Sequence, residues 1–180
     1  MEFMDVIKLR KSNRSYASDE IDDDKIEKML QCACLSPSWE NKQCWHFLVI
    51  KDKKTLEALS RTTVINRWIK NAPALIVACG NPRKSGSRDG MDYFLVDVAI
   101  ALEHLVLAAT DMGLGTCWIG SFNEQKIKNI LDIPKYIRVV ALTPVGYPAK
   151  TITLKEKAIK KLISSDHRKD ISMITHYEKW

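Results

Sequence analysis

The chain has no Cys-x-x-Cys pair, and its five cysteines, Cys32, Cys34, Cys44, Cys79 and Cys117, are scattered with no histidine at ligand spacing. This excludes a small metal module and a disulfide-stapled scaffold, and it reads as reduced thiols packed in a fold. Cys32 and Cys34 stand two apart, which on a helix directs them to different faces. Also missing is the uninterrupted apolar run of roughly 18 residues that a membrane span requires. Glu2 and Asp5 occupy positions where a signal peptide would carry positive charge, so the expectation is a cytoplasmic protein. No Gly-x-Gly-x-x-Gly turn, Walker loop, Gly-x-Ser-x-Gly elbow or His-Glu-x-x-His helix occurs. Of the four histidines, His46, His104, His167 and His176, none has an acid or nucleophile at an informative spacing, and a structural or surface role is the default for each. No metal site is expected.

What is present suits one domain. The chain has 180 residues, 46% of them hydrophobic, which is enough for a single core of useful size. The net charge of +6 and a pI near 9.0 keep nucleic acid in view. The positive residues are not in one stripe but concentrate in two sets, Arg10 to Arg14 and Lys150, Lys155, Lys157, Lys160 and Lys161, with no aromatic residues interleaved to stack bases. Two such sets could converge on one small anion.

Hydrophobic spacing gives the elements. Phe3, Val6 and Ile7 form one face of a short helix, and a second helix starts at a cap on Asp22 or Asp23 and carries Ile26, Met29, Leu30, Ala33 and Cys34. Strands are expected over residues 46–50, 74–79, 116–119 and 137–143, and helices over 53–60 and, capped by Asn123, 124–131. The longest helix is expected over 91–112, apolar nearly all round, with Gly113 and Gly115 as its stop signal and Asp97, Glu103 and Asp111 facing solvent or a helix-end partner. The segment 83–90 reads as a polar, mobile loop. Helices alternating with strands imply an α/β (α+β) domain spanning residues 1–180, with a mixed central sheet and helices on both faces. From about residue 150 a tail mixes lysines with Ile152, Leu154, Ile159 and Leu162 and ends in Tyr177 and Trp180, a composition suited to docking on the body or on a partner subunit.

The run Arg10-Lys11-Ser12-Asn13-Arg14-Ser15-Tyr16 looks built to grip an anion, with guanidinium forks, an ammonium and hydroxyls in one stretch. A solvated basic surface would look similar. An anion grip without any recognisable acid, base or nucleophile is what a protein shows when a bound cofactor does the chemistry.

Four segments in order, the basic run, Ser36-Pro37-Ser38-Trp39-Glu40-Asn41-Lys42-Gln43-Cys44-Trp45-His46-Phe47, Gly113-Leu114-Gly115-Thr116-Cys117-Trp118-Ile119-Gly120 and Pro144-Val145-Gly146-Tyr147-Pro148, resemble the signatures of the FMN-dependent nitroreductase family. The closing His176-Tyr177-Glu178-Lys179-Trp180 is similar to that family's usual end. The resemblance implies a homodimeric three-layer α/β/α flavoprotein with two FMN sites at the subunit interface and the tail docked on the partner.

On that reading Arg10, Lys11, Ser12 and Arg14 hold the FMN phosphate and ribityl chain. Pro37, Ser38 and Trp39 line the ring from the partner subunit, with Asn41 and Gln43 nearby, and the Trp118-Ile119-Gly120 turn brings backbone N–H groups to the flavin N5 and O4 edge. Strand packing is the competing explanation for Trp118 and Ile119. Lys155 or Lys157 is the candidate for a basic residue reaching the phosphate. NADH or NADPH would give hydride to N5, and a nitroaromatic, quinone or similar small electron acceptor would then be reduced in a ping-pong cycle, with no catalytic side chain, nucleic acid or membrane involved.

The same fold also admits reductive dehalogenation, flavin fragmentation or a non-catalytic binding role. Two departures stand out. Cys44 replaces a proline common in the family, and the short stretch between Gly80 and Asp92 implies an uncovered pocket and a broad or unusual substrate range.

Overall fold

In the computed structural model, the structure describes residues 1–151 and 167–180, so Lys155, Lys157 and the apolar tail positions from Ile152 to Leu162 lie outside the described residues. The described chain forms two compact units, Met1–Lys150 and Thr151–Trp180. Helices α1 (Phe3–Leu9) and α2 (Asp23–Cys34) precede strand β1 (Trp45–Ile50) and helix α3 (Lys53–Ser60). Strand β2 (Ala74–Gly80), the hairpin β3 (Ser87–Arg88) and β4 (Met91–Asp92), and helix α4 (Tyr93–Asp111) follow. Strand β5 (Gly115–Thr116), helix α5 (Glu124–Leu131) and strand β6 (Arg138–Gly146) complete the first unit.

The main sheet runs β1-β2-β6-β5, with antiparallel pairing at every strand contact. Among the described residues, the sheet expected to be mixed has its parallel component only at an isolated bridge between Ser12 and Thr116. The helix-bearing connections between paired strands, α3 between β1 and β2 and α5 between β5 and β6, return the chain antiparallel even though they are long enough for parallel crossovers. Strand β2 is buried along its whole length because it lies between β1 and β6 and is covered on both faces. Its side chains alternate accordingly: Ala74, Ile76 and Ala78 enter a core built with α2 and α4, while Leu75, Val77 and Cys79 enter a second core with Leu56, Leu59 and Ile127 of α3 and α5. Three layers result.

Helix α4 is long and apolar enough to cross a bilayer by length and composition, closer to a span than the absence of a pure apolar run suggested. Its buried face, Phe94, Val98, Ala101, Leu102, Leu105 and Ala109, is instead occupied by α2 and the sheet. Gly113, at φ 74°, ends it in the left-handed conformation that favours glycine, and Leu114 N–H returns to Ala109 O at 2.8 Å. Gly115 serves packing rather than the stop: a Cβ there would lie 2.7 Å from the Asn13 side chain.

The caps are uneven. Asn123 and Asp52 accept from Lys126 N and Thr55 N, at 2.9 and 2.8 Å. At α2, Asp22 makes no side-chain cap, and Asp23 is drawn off to Lys51 Nζ at 2.8 Å. The segment expected to be a mobile loop is structured: Asn81 caps a turn over Pro82–Lys84, and Asp89 and Gly90, at φ 52° and 80°, close the β3–β4 hairpin. The Asp-Gly pair is the sequence signal for that turn. In the second unit, Asp170 caps a short 3₁₀ turn at Ile171–Met173, and the rings of His176 and Trp180 stack at 4.6 Å.

Candidate functional site

The basic run is held rigidly although it belongs to no helix or strand. Arg10 N–H closes α1 on Val6 O at 2.9 Å, Asn13 N–H donates to Thr116 O at 2.8 Å, and Ala149 N–H donates to Ser15 O at 3.1 Å. Tyr16 bridges to Pro148 and donates its hydroxyl to Asn13 O at 2.7 Å. Missing side chains let these backbones approach: a Cβ on Gly146 would lie 2.6 Å from Pro73 and 2.9 Å from the Tyr16 ring. Three of the four ordered motifs thus meet at one end of the sheet.

Within the run, Arg10, Ser12 and Arg14 are half-buried and Lys11 is exposed. Arg14 Nη1 reaches back to Ser12 O at 3.4 Å. Glu103 on α4 lies within the field of Arg10. Burial pushes its carboxyl up, and the charges of Arg10 and His104 oppose that.

The turn after β5 presents an exposed Trp118 and an exposed Gly120 around a buried Ile119. Ile119 exchanges both main-chain hydrogen bonds with Leu142, at 2.9 and 3.0 Å, and packs in the second core. Ile119 thereby fixes the turn, and a Cβ at Gly120 would meet nothing within 4 Å.

The fourth motif has different partners. Pro37, Asn41 and Gln43 are exposed, and Ser38 and Trp39 are half-buried. Ser38 Oγ accepts from Gln43 N at 2.9 Å, and Gln43 Nε2 donates to Asn41 Oδ1 at 3.2 Å. Trp39 packs against the Tyr93 ring, with centroids 4.5 Å apart, and over Gly86, where a Cβ would come within 2.2 Å of its indole.

Beneath them lies a residue that sequence reasoning placed toward solvent. Asp97 is 2% exposed and accepts from Trp39 N at 2.9 Å, Ser85 Oγ at 2.7 Å and Cys44 Sγ at 3.5 Å. An aspartate amid apolar residues on a core helix was its only trace in the sequence. Asp111, by contrast, has the helix-end partner expected, the amino terminus of Met1 at 2.6 Å.

Cys44, at the proline-like position, is buried. Burial first, and the adjacent Asp97 second, push its thiol up to about 12. A cavity of about 670 Å³ opens beside β1, lined by Lys42, Gln43, His46, Lys84 and Tyr136 among others. Among the described residues there is no group of three or more metal-ligating side chains.

The sequence pattern of the Nitroreductase family matches residues 7–63 and 56–147. The chain belongs to the nitroreductase family. It is 33% identical to an Archaeoglobus fulgidus protein whose name pairs NADH dehydrogenase with NAD(P)H nitroreductase, over 99% of both chains. A nitroreductase family protein from Clostridium novyi NT superposes with a TM-score of 0.81 at 44% identity, covering 83% of this chain and 87% of that one. One from Clostridium difficile 630 superposes with a TM-score of 0.84 at 29% identity over the whole of both chains. More distant relatives, at 25 to 26% identity, are named FMN reductase [NAD(P)H] in Bacillus subtilis, iodotyrosine deiodinase 1 in Mus musculus and 5,6-dimethylbenzimidazole synthase in Rhodospirillum rubrum. They align with 86%, 90% and 82% of this chain and with 69%, 68% and 82% of their own lengths. The relatives of this chain thus include proteins named as NAD(P)H-dependent reductases and proteins named for other reactions.

Proposed function

We propose that this chain is a homodimeric, FMN-dependent oxidoreductase that takes hydride from NADH or NADPH and reduces nitroaromatic, quinone or similar electron-poor acceptors in a ping-pong cycle. The observation that carries the reading is the junction of Arg10, Ser12 and Arg14 with the Trp118 and Gly120 turn at one end of the sheet, a basic grip beside an open backbone edge. FMN fits this donor set. Arg10 and Arg14 offer charge-assisted bonds to a phosphate, Lys11 adds a point charge, and the open face of Gly120 leaves room for a ring to approach the main chain.

When bound, FMN supplies the hydride chemistry. The chain's own contribution is to place and bias it. Because Ile119 N–H is committed to Leu142, the amides of Trp118 and Gly120 are the donors assigned to the flavin edge. Pro37, Ser38 and Trp39, with Asn41 and Gln43, form a second surface built on α4, which we assign to the flavin of the partner subunit. The segment between Gly80 and α4 is short and closes on itself as the β3–β4 hairpin, and an uncovered flavin face with a broad acceptor range is part of the same proposal.

A dimer suits the exposed apolar residues. Phe3, Met4, Ile7 and Leu9 on α1, Leu35 after α2, and Leu95 on α4 are all exposed, and an apolar cleft of about 460 Å³ lies between Phe3, Leu35 and Leu107. The tail residues Ile171, Met173, Tyr177 and Trp180 are exposed too, and the role assigned to them is docking on the partner. One continuous functional domain, a cytoplasmic setting and a phosphate contact from Lys155 or Lys157 belong to the same proposal.

The test is direct. The purified protein should carry, or take up, a flavin whose colour bleaches with anaerobic NADH or NADPH and returns with a nitroaromatic or quinone. A flavin that binds but does not bleach would move the reading to the deiodinase-like or synthase-like branch or to simple flavin binding, and a colourless protein that cannot be loaded would overturn it.

A further inference from the structure

The loop 36–44 carries three non-glycine residues in the left-handed region, Glu40, Asn41 and Gln43, at φ 47°, 55° and 47°. Each such residue is unfavourable by itself, so the surroundings must hold the segment in place. Its internal bonds, among Ser38, Asn41 and Gln43 and between Lys42 and Glu40, lie at the surface, where they are individually weak. The tethers to the buried Asp97 lie on either side of the strained residues. Asp97 Oδ1 accepts the Trp39 amide just before the strained residues, and Oδ2 faces the Cys44 thiol just after them. Oδ2 also accepts the Ser85 hydroxyl, which joins the loop to the segment ahead of the β3–β4 hairpin. Asn81 N–H completes the clasp on Cys44 O at 2.9 Å.

We propose that Asp97 is a positioning residue for the flavin site, a buried carboxylate that clamps the 36–44 loop on either side of its strained residues and locks it to Ser85, so that Pro37, Ser38 and Trp39 present a fixed surface. This rests on the assignment of that loop to the flavin. The carboxylate suits the task because it takes three donors at once, whereas an amide of the same shape would turn its NH₂ toward one of them. It acts through the loop and touches no reacting atom.

The experiment measures FMN affinity by quenching of flavin fluorescence and amide exchange over residues 36–44 in the apoprotein, for wild type, Asp97→Ala, Asp97→Asn and Ser85→Ala. Removing one hydrogen bond from the clamp in Ser85→Ala should weaken FMN about fivefold, and Asp97→Ala about thirtyfold, with Asp97→Asn between them as a partial rescue. Exchange over 36–44 should quicken in all three while β2 stays protected. If Asp97→Ala does not fold, the other two variants decide. Folded Ser85→Ala and Asp97→Asn proteins with wild-type exchange over 36–44, or with FMN affinity within about twofold of wild type, would overturn the role. A wild type that takes up no FMN would instead overturn the flavin reading, and this role with it.

Discussion

Cys44 and Asp97 show what one buried pair of polar groups can do to its neighbours. The thiol is sealed in the core, and Cys79 is likewise pushed up to about 12, by burial first and then by the charge of Glu124. Neither is a thiolate at neutral pH, so neither should react. Under native conditions at pH 7.5 a thiol reagent followed by mass spectrometry should label exposed Cys34 first and half-buried Cys32 more slowly, leaving Cys44, Cys79 and Cys117 unlabelled until the chain is unfolded. Glu124 provides a pH-dependent contribution. Burial pushes its carboxyl up, but Arg138, the Val139 N–H and Lys128 together outweigh that and hold it below its ordinary value of 4.5. A lowered folded-state value means that the stabilisation is full above the unfolded value and is lost as pH falls through the folded one. Glu124→Gln should therefore lower Tm by about 2–4 °C at pH 7, and the gap should close toward pH 3 in a series of thermal melts. At this scale the sequence singles out Arg10 and Arg14 as candidates for an anion grip through their local chemistry. It could not identify Asp97, whose importance comes from donors 12, 53 and 58 positions away in the chain.

At the scale of elements, periodicity was a good guide wherever a face is buried. The bounds of α3 and α5 agree with the apolar spacing and with their caps at Asp52 and Asn123, and the unbroken apolar run of β2 marks a strand covered on both sides. It failed where irregular backbone carries the structure. The β3–β4 hairpin was hidden in a polar stretch because two-residue strands bury almost nothing, and only Asp89-Gly90 announced it. The Gly115 contact with Asn13 has the same character. Gly115→Ala should push the basic run off β5, since a Cβ would need the space of the Asn13 side chain. The expected result is an FMN affinity lowered about tenfold with Tm reduced by only a few degrees, read from flavin quenching and thermal melts of the same preparation.

For the whole molecule, the layered α/β/α body was legible because alternation and helical spacing both follow burial. The antiparallel direction of the sheet was less so, since strand direction depends on connection geometry that composition does not record. The proposed flavin pocket pairs the two site surfaces across two copies of the chain. Sedimentation equilibrium should give a mass near twice the 20.6 kDa chain, and Leu95→Glu, on the exposed face of α4, should shift the protein toward monomer and lower FMN affinity together. A monomer that binds FMN with undiminished affinity would remove the partner from the site.

A phosphate grip by the basic run is tested by comparing the affinity for FMN with that for riboflavin, which lacks the phosphate, in wild type and Arg14→Ala. Wild type should prefer FMN by at least about tenfold, and Arg14→Ala should erase most of that preference while binding riboflavin as before. Equal affinities in wild type, or a preference that survives the substitution, would contradict the grip.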